Sequence, residues 1–98
     1  MKVGRTRTFL REQDKILSES QKQQLETFIT RFRSGEQRGK HLHGKWLFEV
    51  KIQGKRAYYV SSDEVAVFVG VSKKKDQKEY VRELINREEE FLRLLTTS

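Results

Sequence analysis

The sequence predicts an α+β fold of two layers, an antiparallel meander sheet with helices on one face, in the order β-α-α-β-β-β-α. Three observations predict it. Leu25, Phe28, Ile29 and Phe32 repeat at i, i+3, i+4, i+7, the single apolar stripe of a helix packed by one face. Residues 46–52 alternate with a period of two and run into Gln53-Gly54, a hairpin signal followed by a second strand. The run Val65–Val71 is apolar on both faces, as a central strand is, and a second helical stripe follows it.

The elements follow in order. Val3, Arg5, Arg7 and Phe9 alternate with Thr6 and Thr8 between them, a short first strand, and residues 10–17 read as a short helix. Ser18 or Ser20 can cap the next helix, with Gln21 or Gln23 three residues later in capping-box register. This helix runs from about Ser20 to Ser34, and Gly35 stands where a left-handed C-terminal cap belongs. In the final helix Asp76 and Glu79 give the start signal, and Tyr80, Val81, Leu84, Ile85, Phe91, Leu92 and Leu95 recur at helical spacing.

The two-residue loop fixes the hairpin register. Pairing Ile52 with Lys55 sets Lys51 opposite Arg56, Val50 opposite Ala57, Glu49 opposite Tyr58 and Phe48 opposite Tyr59. Opposed residues share a face. Phe48, Val50, Ala57 and Tyr59 therefore form a core face, and Glu49, Lys51, Arg56 and Tyr58 form a polar cluster on the other, an open concave platform.

Composition narrows the function. The 98 residues make one domain, with neither proline nor a Gly/Ser-rich linker to divide residues 1–98. Lys and Arg number 21 against 14 Asp and Glu, a net charge of +7, which favours a nucleic acid or an acidic protein as partner. Residues 1–45 carry +6, residues 46–78 carry +3 and residues 79–98 carry −2, so the last helix is not the basic surface. With no cysteine, disulfides, thiolate catalysis and cysteine-based zinc sites are excluded. The longest apolar run falls far short of the roughly 20 residues of a membrane span, and no apolar segment follows the N-terminal charges, so a soluble cytoplasmic protein is expected.

Leu42-His-Gly44, then Leu47-Phe-Glu-Val-Lys-Ile52, Gly54-Lys-Arg-Ala-Tyr-Tyr59 and Lys73-Lys-Lys-Asp-Gln77 before a helix resemble, at matching spacing, the RelE/ParE superfamily of toxins, closest to its HigB-like addiction module killer branch. The resemblance covers roughly half the chain; the N-terminal part matches only in its order of elements. The family aromatic before the arginine is Lys55 here, and either Lys73 or Lys74 takes the place of the family lysine.

The resemblance implies a RelE-like fold and the toxin of a type II toxin–antitoxin system. Its RelE and HigB branches imply metal-independent cleavage of mRNA at the ribosome, by attack of a ribose 2′-hydroxyl on the adjacent phosphate. Its ParE branch implies inhibition of DNA gyrase instead, and a non-catalytic basic relative that binds nucleic acid is a third reading. The implied partners are a cognate antitoxin, small and of helix-turn-helix type, with the ribosome and mRNA; no membrane, cofactor or metal is expected.

The nuclease chemistry needs a base, cations for the phosphorane charge and an acid for the leaving 5′-oxygen. Arg56 is the leading phosphate ligand, since a planar guanidinium grips a phosphate through two bonds. Lys51, Lys73, Lys74 and Lys75 are the other phosphate-binding candidates, Lys74 with a catalytic role as well. Tyr58 and His43, or His41, are candidates for proton transfer or base stacking. Two histidines without a third ligand make a poor zinc site, and Glu49 reads as the partner that orients Lys51 or Arg56.

Overall fold

The computed structural model describes residues 1–96. Five strands and four helices follow one another: β1 (Lys2–Arg5), α1 (Arg7–Ile16), α2 (Glu19–Arg33), β2 (Lys40–His43), β3 (Leu47–Ile52), β4 (Lys55–Ser61), β5 (Val65–Lys73), a 3-10 turn (Lys74–Asp76), α3 (Gln77–Asn86) and α4 (Glu88–Thr96). They form one five-stranded sheet in the order β1-β5-β4-β3-β2. Only the β1–β5 pair is parallel.

Local chemistry sets the boundaries. The Thr6 hydroxyl accepts the Phe9 N–H and starts α1. Ser18, not Ser20, caps α2: its hydroxyl accepts the Gln21 N–H while the Gln21 side chain accepts the Ser18 N–H, a complete capping box. Gly35 leaves that helix at φ +81°. In the β3–β4 turn Gln53 and Gly54 both take positive φ, 38° and 80°, the twist a two-residue hairpin loop requires.

The fold class is the expected α+β one, with two differences in order and one in layering. Lys40–His43 is a strand, paired with β3 through a bulge between His41 and His43. It is short and mostly exposed, so it carries no apolar alternation to mark it. The last helix breaks at Arg87, whose guanidinium lies 4.7 Å from the centre of the Phe91 ring and bonds Glu90 at 2.7 and 3.1 Å. Both faces of the sheet are covered. Phe9, Leu25, Phe28, Ile29 and Phe32 of α1 and α2 pack on Val50, Ala57, Tyr59 and Phe68. Leu84 and Phe91 of α3 and α4 pack on Leu47, Tyr58, Val60 and Val69. The expectation of helices on one face only is thus corrected: β5 is apolar on both sides, and each side needs cover. Among the described residues no helix is long and apolar enough to cross a membrane.

Candidate functional site

The hairpin register is the expected one, with Glu49 opposite Tyr58 and Lys51 opposite Arg56. Pairing with β5 adds Gly70 beside Tyr58 and Ser72 beside Arg56. On the other side β2 sets Lys40 opposite Glu49. One face therefore carries two cross-strand rows, Lys40–Glu49–Tyr58–Gly70 and Lys51–Arg56–Ser72.

This face is not an open platform. Glu49, Arg56 and Tyr58 are 1%, 7% and 0% exposed, because α3 closes over them, while Lys40, Lys51, Lys74 and Lys75 remain exposed. The arrangement is a buried ion pair with a cationic rim. Arg56 Nε stands 3.3 Å from Glu49 Oε1, without the alignment of a hydrogen bond. Arg56 Nη1 donates to the Lys55 carbonyl at 2.8 Å, and Nη2 has no partner among the described residues. The second Glu49 oxygen accepts from the Gln77 side chain at 2.5 Å, which ties the start of α3 to β3.

Tyr58 does not stand where a base could stack on it. Its ring lies under Tyr80, centres 5.1 Å apart and planes within 15°. Ser72 gives its one proton to the Lys73 carbonyl at 3.1 Å, so in the 2.8 Å contact between the hydroxyls Tyr58 is the donor. Burial pushes the Tyr58 phenol from its ordinary 10.0 up to about 12. It is a neutral donor near pH 7, not a base.

The sign of this shift gives a prediction. The folded state holds the proton more tightly than the unfolded chain, so stability is intact below pH 10 and is lost as pH rises through about 12. At about 1.4 kcal/mol per pKa unit, the loss is roughly 3 kcal/mol. Urea unfolding at pH 9 and pH 11.5 captures roughly 2 kcal/mol of it, and Tyr58→Phe reduces the difference.

The remaining expected residues are scattered. Lys73 pairs with Lys55, whose ammonium reaches the Ile16 carbonyl at 3.1 Å, so the register puts Lys73 on the α1/α2 face, away from Arg56. Lys74 begins the turn that crosses to α3, its N–H held by the Gly54 carbonyl at 2.9 Å. His43 lies opposite Leu47 with its ring 6.0 Å from Trp46. That is four residues along β3 from Lys51, about 13 Å. His41 lies opposite Phe48 on the other face and bonds the Gly44 carbonyl. Neither histidine belongs to the Arg56 cluster. Lys40, Ser72 and Gln77 do, revealed in turn by the unexpected β2 pairing, the β4–β5 pairing and the docking of α3. Among the described residues no group of three or more His, Cys, Asp or Glu is placed to hold a metal ion.

No protein-family model and no curated protein matches the sequence. Two solved structures do match. A copper-bound mutant toxin from Helicobacter pylori superposes with a TM-score of 0.59 at 19% identity, over 78% of this chain and 97% of that one. A conserved hypothetical protein from the same organism, solved in solution, gives 0.50 at 21%, over 76% and 96%. The chain has the fold of a small bacterial toxin.

In this toxin fold α3 is held over the site by a second clasp, from α1. One Glu12 oxygen accepts both the Val71 N–H, at 3.0 Å, and the Tyr80 hydroxyl. Burial first, and the bond to Glu12 next, push the Tyr80 phenol far above its ordinary value. Hydrogen bonds to a charged acceptor contribute about 1.5–3 kcal/mol. Tyr80→Phe is therefore expected to lower stability by that amount in urea melts, and to speed amide exchange across Gln77–Asn86.

Proposed function

We propose that the chain is the toxin of a type II toxin–antitoxin pair, of the HigB-like branch, and that it cuts mRNA bound in the ribosome. The observation that carries this reading is the uncommitted Arg56 Nη2 beside Lys51, with exposed Lys40 in the neighbouring row and Lys74 two residues beyond Ser72. A phosphodiester entering the rim meets one guanidinium nitrogen already fixed by Glu49 and the Lys55 carbonyl. Catalysis gains most from charge placed before the reaction begins. The ribose 2′-oxygen bonds to the adjacent phosphorus as its proton passes to water. The bond to the 5′-oxygen breaks and that oxygen takes a proton, leaving a 2′,3′-cyclic phosphate and a 5′-hydroxyl. Arg56 and Lys51 hold the phosphorane charge, and Lys74 supplies the proton to the leaving oxygen. Tyr58 is a positioning residue that props Ser72 and the strand beneath. An antitoxin with an acidic segment would cover the rim and gain on-rate from its charge.

Two observations favour a second reading, inhibition of DNA gyrase without cleavage: neither histidine stands near Arg56, and the Tyr58 phenol is neutral near pH 7. Induced expression in a bacterial host separates the two. The nuclease reading predicts growth arrest with in-frame mRNA cuts by primer extension, both lost in Lys51→Ala/Arg56→Lys. Arrest with DNA breaks and intact mRNA establishes the gyrase reading. No arrest, with folded protein present, overturns both.

A further inference from the structure

On the opposite face of the sheet from Arg56, three loops, Met1 and the end of α2 line a cavity of about 250 Å3, close to the lower limit of roughly 300 Å3 for small-molecule pockets. Its charged lining is Arg33, Arg38 and Lys45 against one acid, Asp63. Arg33, Arg38 and Lys45 are exposed, and none of the ion pairs among the described residues engages them. They leave an excess of two positive charges over Asp63 at a place the Arg56 chemistry does not use.

Tyr59 supplies the second observation. It lines the cavity while being only 1% exposed. Its hydroxyl accepts the Gly39 N–H at 2.9 Å, and its own proton has no acceptor among the described residues. A buried donor left unpaired is costly unless a ligand or water takes it. The loop is built around this contact: a Cβ on Gly39 would stand 2.6 Å from the Glu49 carbonyl oxygen and 2.8 Å from the Tyr59 ring, so the chain passes there only as glycine. Arg38 lies near enough to oppose the burial that raises the Tyr59 phenol.

Three free cations and one buried O–H donor ask for a ligand that only accepts. We propose that this cavity is a second anion site that binds the phosphate of a nucleotide, free or within an RNA strand, independently of the Arg56 rim. Phosphate fits better than carboxylate because it offers more acceptor oxygens to donors converging from several sides. The half-buried Phe48, stacked on Tyr59 at 5.1 Å, gives the attached sugar or base an apolar wall.

The test is titration of the full chain at low salt with inorganic phosphate, adenosine 5′-monophosphate and an RNA hexamer, followed by calorimetry and amide NMR. Saturable binding that shifts Gly39 and Ser61 is expected. Arg33→Gln/Arg38→Gln, at exposed positions that leave folding intact, should weaken it at least tenfold, and Tyr59→Phe about threefold or more. Lys51→Ala, on the other face, should leave it unchanged. Tighter binding of the hexamer, with a log–log salt slope steeper by about 0.7 per added phosphate contact, identifies a strand as the source. Equal affinity for the mononucleotide identifies a free nucleotide. Absence of saturable binding overturns the proposal, as do shifts confined to Lys51 and Ser72, or binding of an acidic peptide where all three phosphate probes fail. None of these outcomes depends on whether the Arg56 rim cleaves mRNA.

Discussion

Glu49→Ala is expected to destabilise the protein by about 3–5 kcal/mol, the usual cost of stranding a buried charge. Whole-domain stability is about 5–15 kcal/mol, so much of the population should unfold in mild urea. Glu49 and Arg56 are almost completely buried, and their facing atoms have only each other for electrical balance. Truncation also frees Gln77 and loosens the start of α3. Replacing both charges, as in Glu49→Leu/Arg56→Met, should recover most of the loss, because apolar groups need no balancing partner. The urea midpoints of wild type, single and double variants measure this. A single-variant loss below about 1 kcal/mol would mean that water reaches the pair.

Arg56→Lys is expected to lower the rate of mRNA cleavage by 100-fold to 1000-fold, on the order seen when one preplaced donor is removed from a charged transition state. The charge survives, but the rigid fork does not. Lysine has a single nitrogen, which cannot face Glu49, bond the Lys55 carbonyl and reach the rim at once. Lys51→Ala should cost about tenfold, since an exposed ammonium contributes less than a fixed guanidinium. Single-turnover rates on ribosome-bound mRNA measure both. Urea midpoints taken alongside separate lost chemistry from lost fold.

Much of this molecule was legible in its sequence. Gln53-Gly54 fixed the hairpin register residue by residue, because a two-residue loop pairs Ile52 with Lys55 and every further pair follows from that one. The stripe of α2 and its capping signal were equally plain, to within two residues. The second core was visible in part: β5 is apolar on both sides, and Tyr80, Leu84 and Phe91 offered the matching surface. What hid it was the polarity of Glu49, Lys51 and Arg56, which suggested open solvent. Two of those three are buried because they neutralise each other, a property of the pair and not of either residue. His43 drew attention as an acid or base, but the β2 bulge sends it to Trp46. Lys40 was passed over because the sequence does not mark β2 as a strand. Tyr59 looked like ordinary core; its unpaired proton depends on a loop whose path only Gly39 permits.

The central claim is that cations around Arg56 drive attack by a ribose 2′-hydroxyl. The most direct test uses two ribosome-bound mRNAs, one all ribose and one carrying a single 2′-deoxynucleotide on the 5′ side of a mapped cut. Cleavage of the first, with a cyclic phosphate at the new end, and none at the deoxy position of the second is the predicted result. Equal cleavage at both positions, or an intact ribose mRNA after incubation with folded protein, would contradict it.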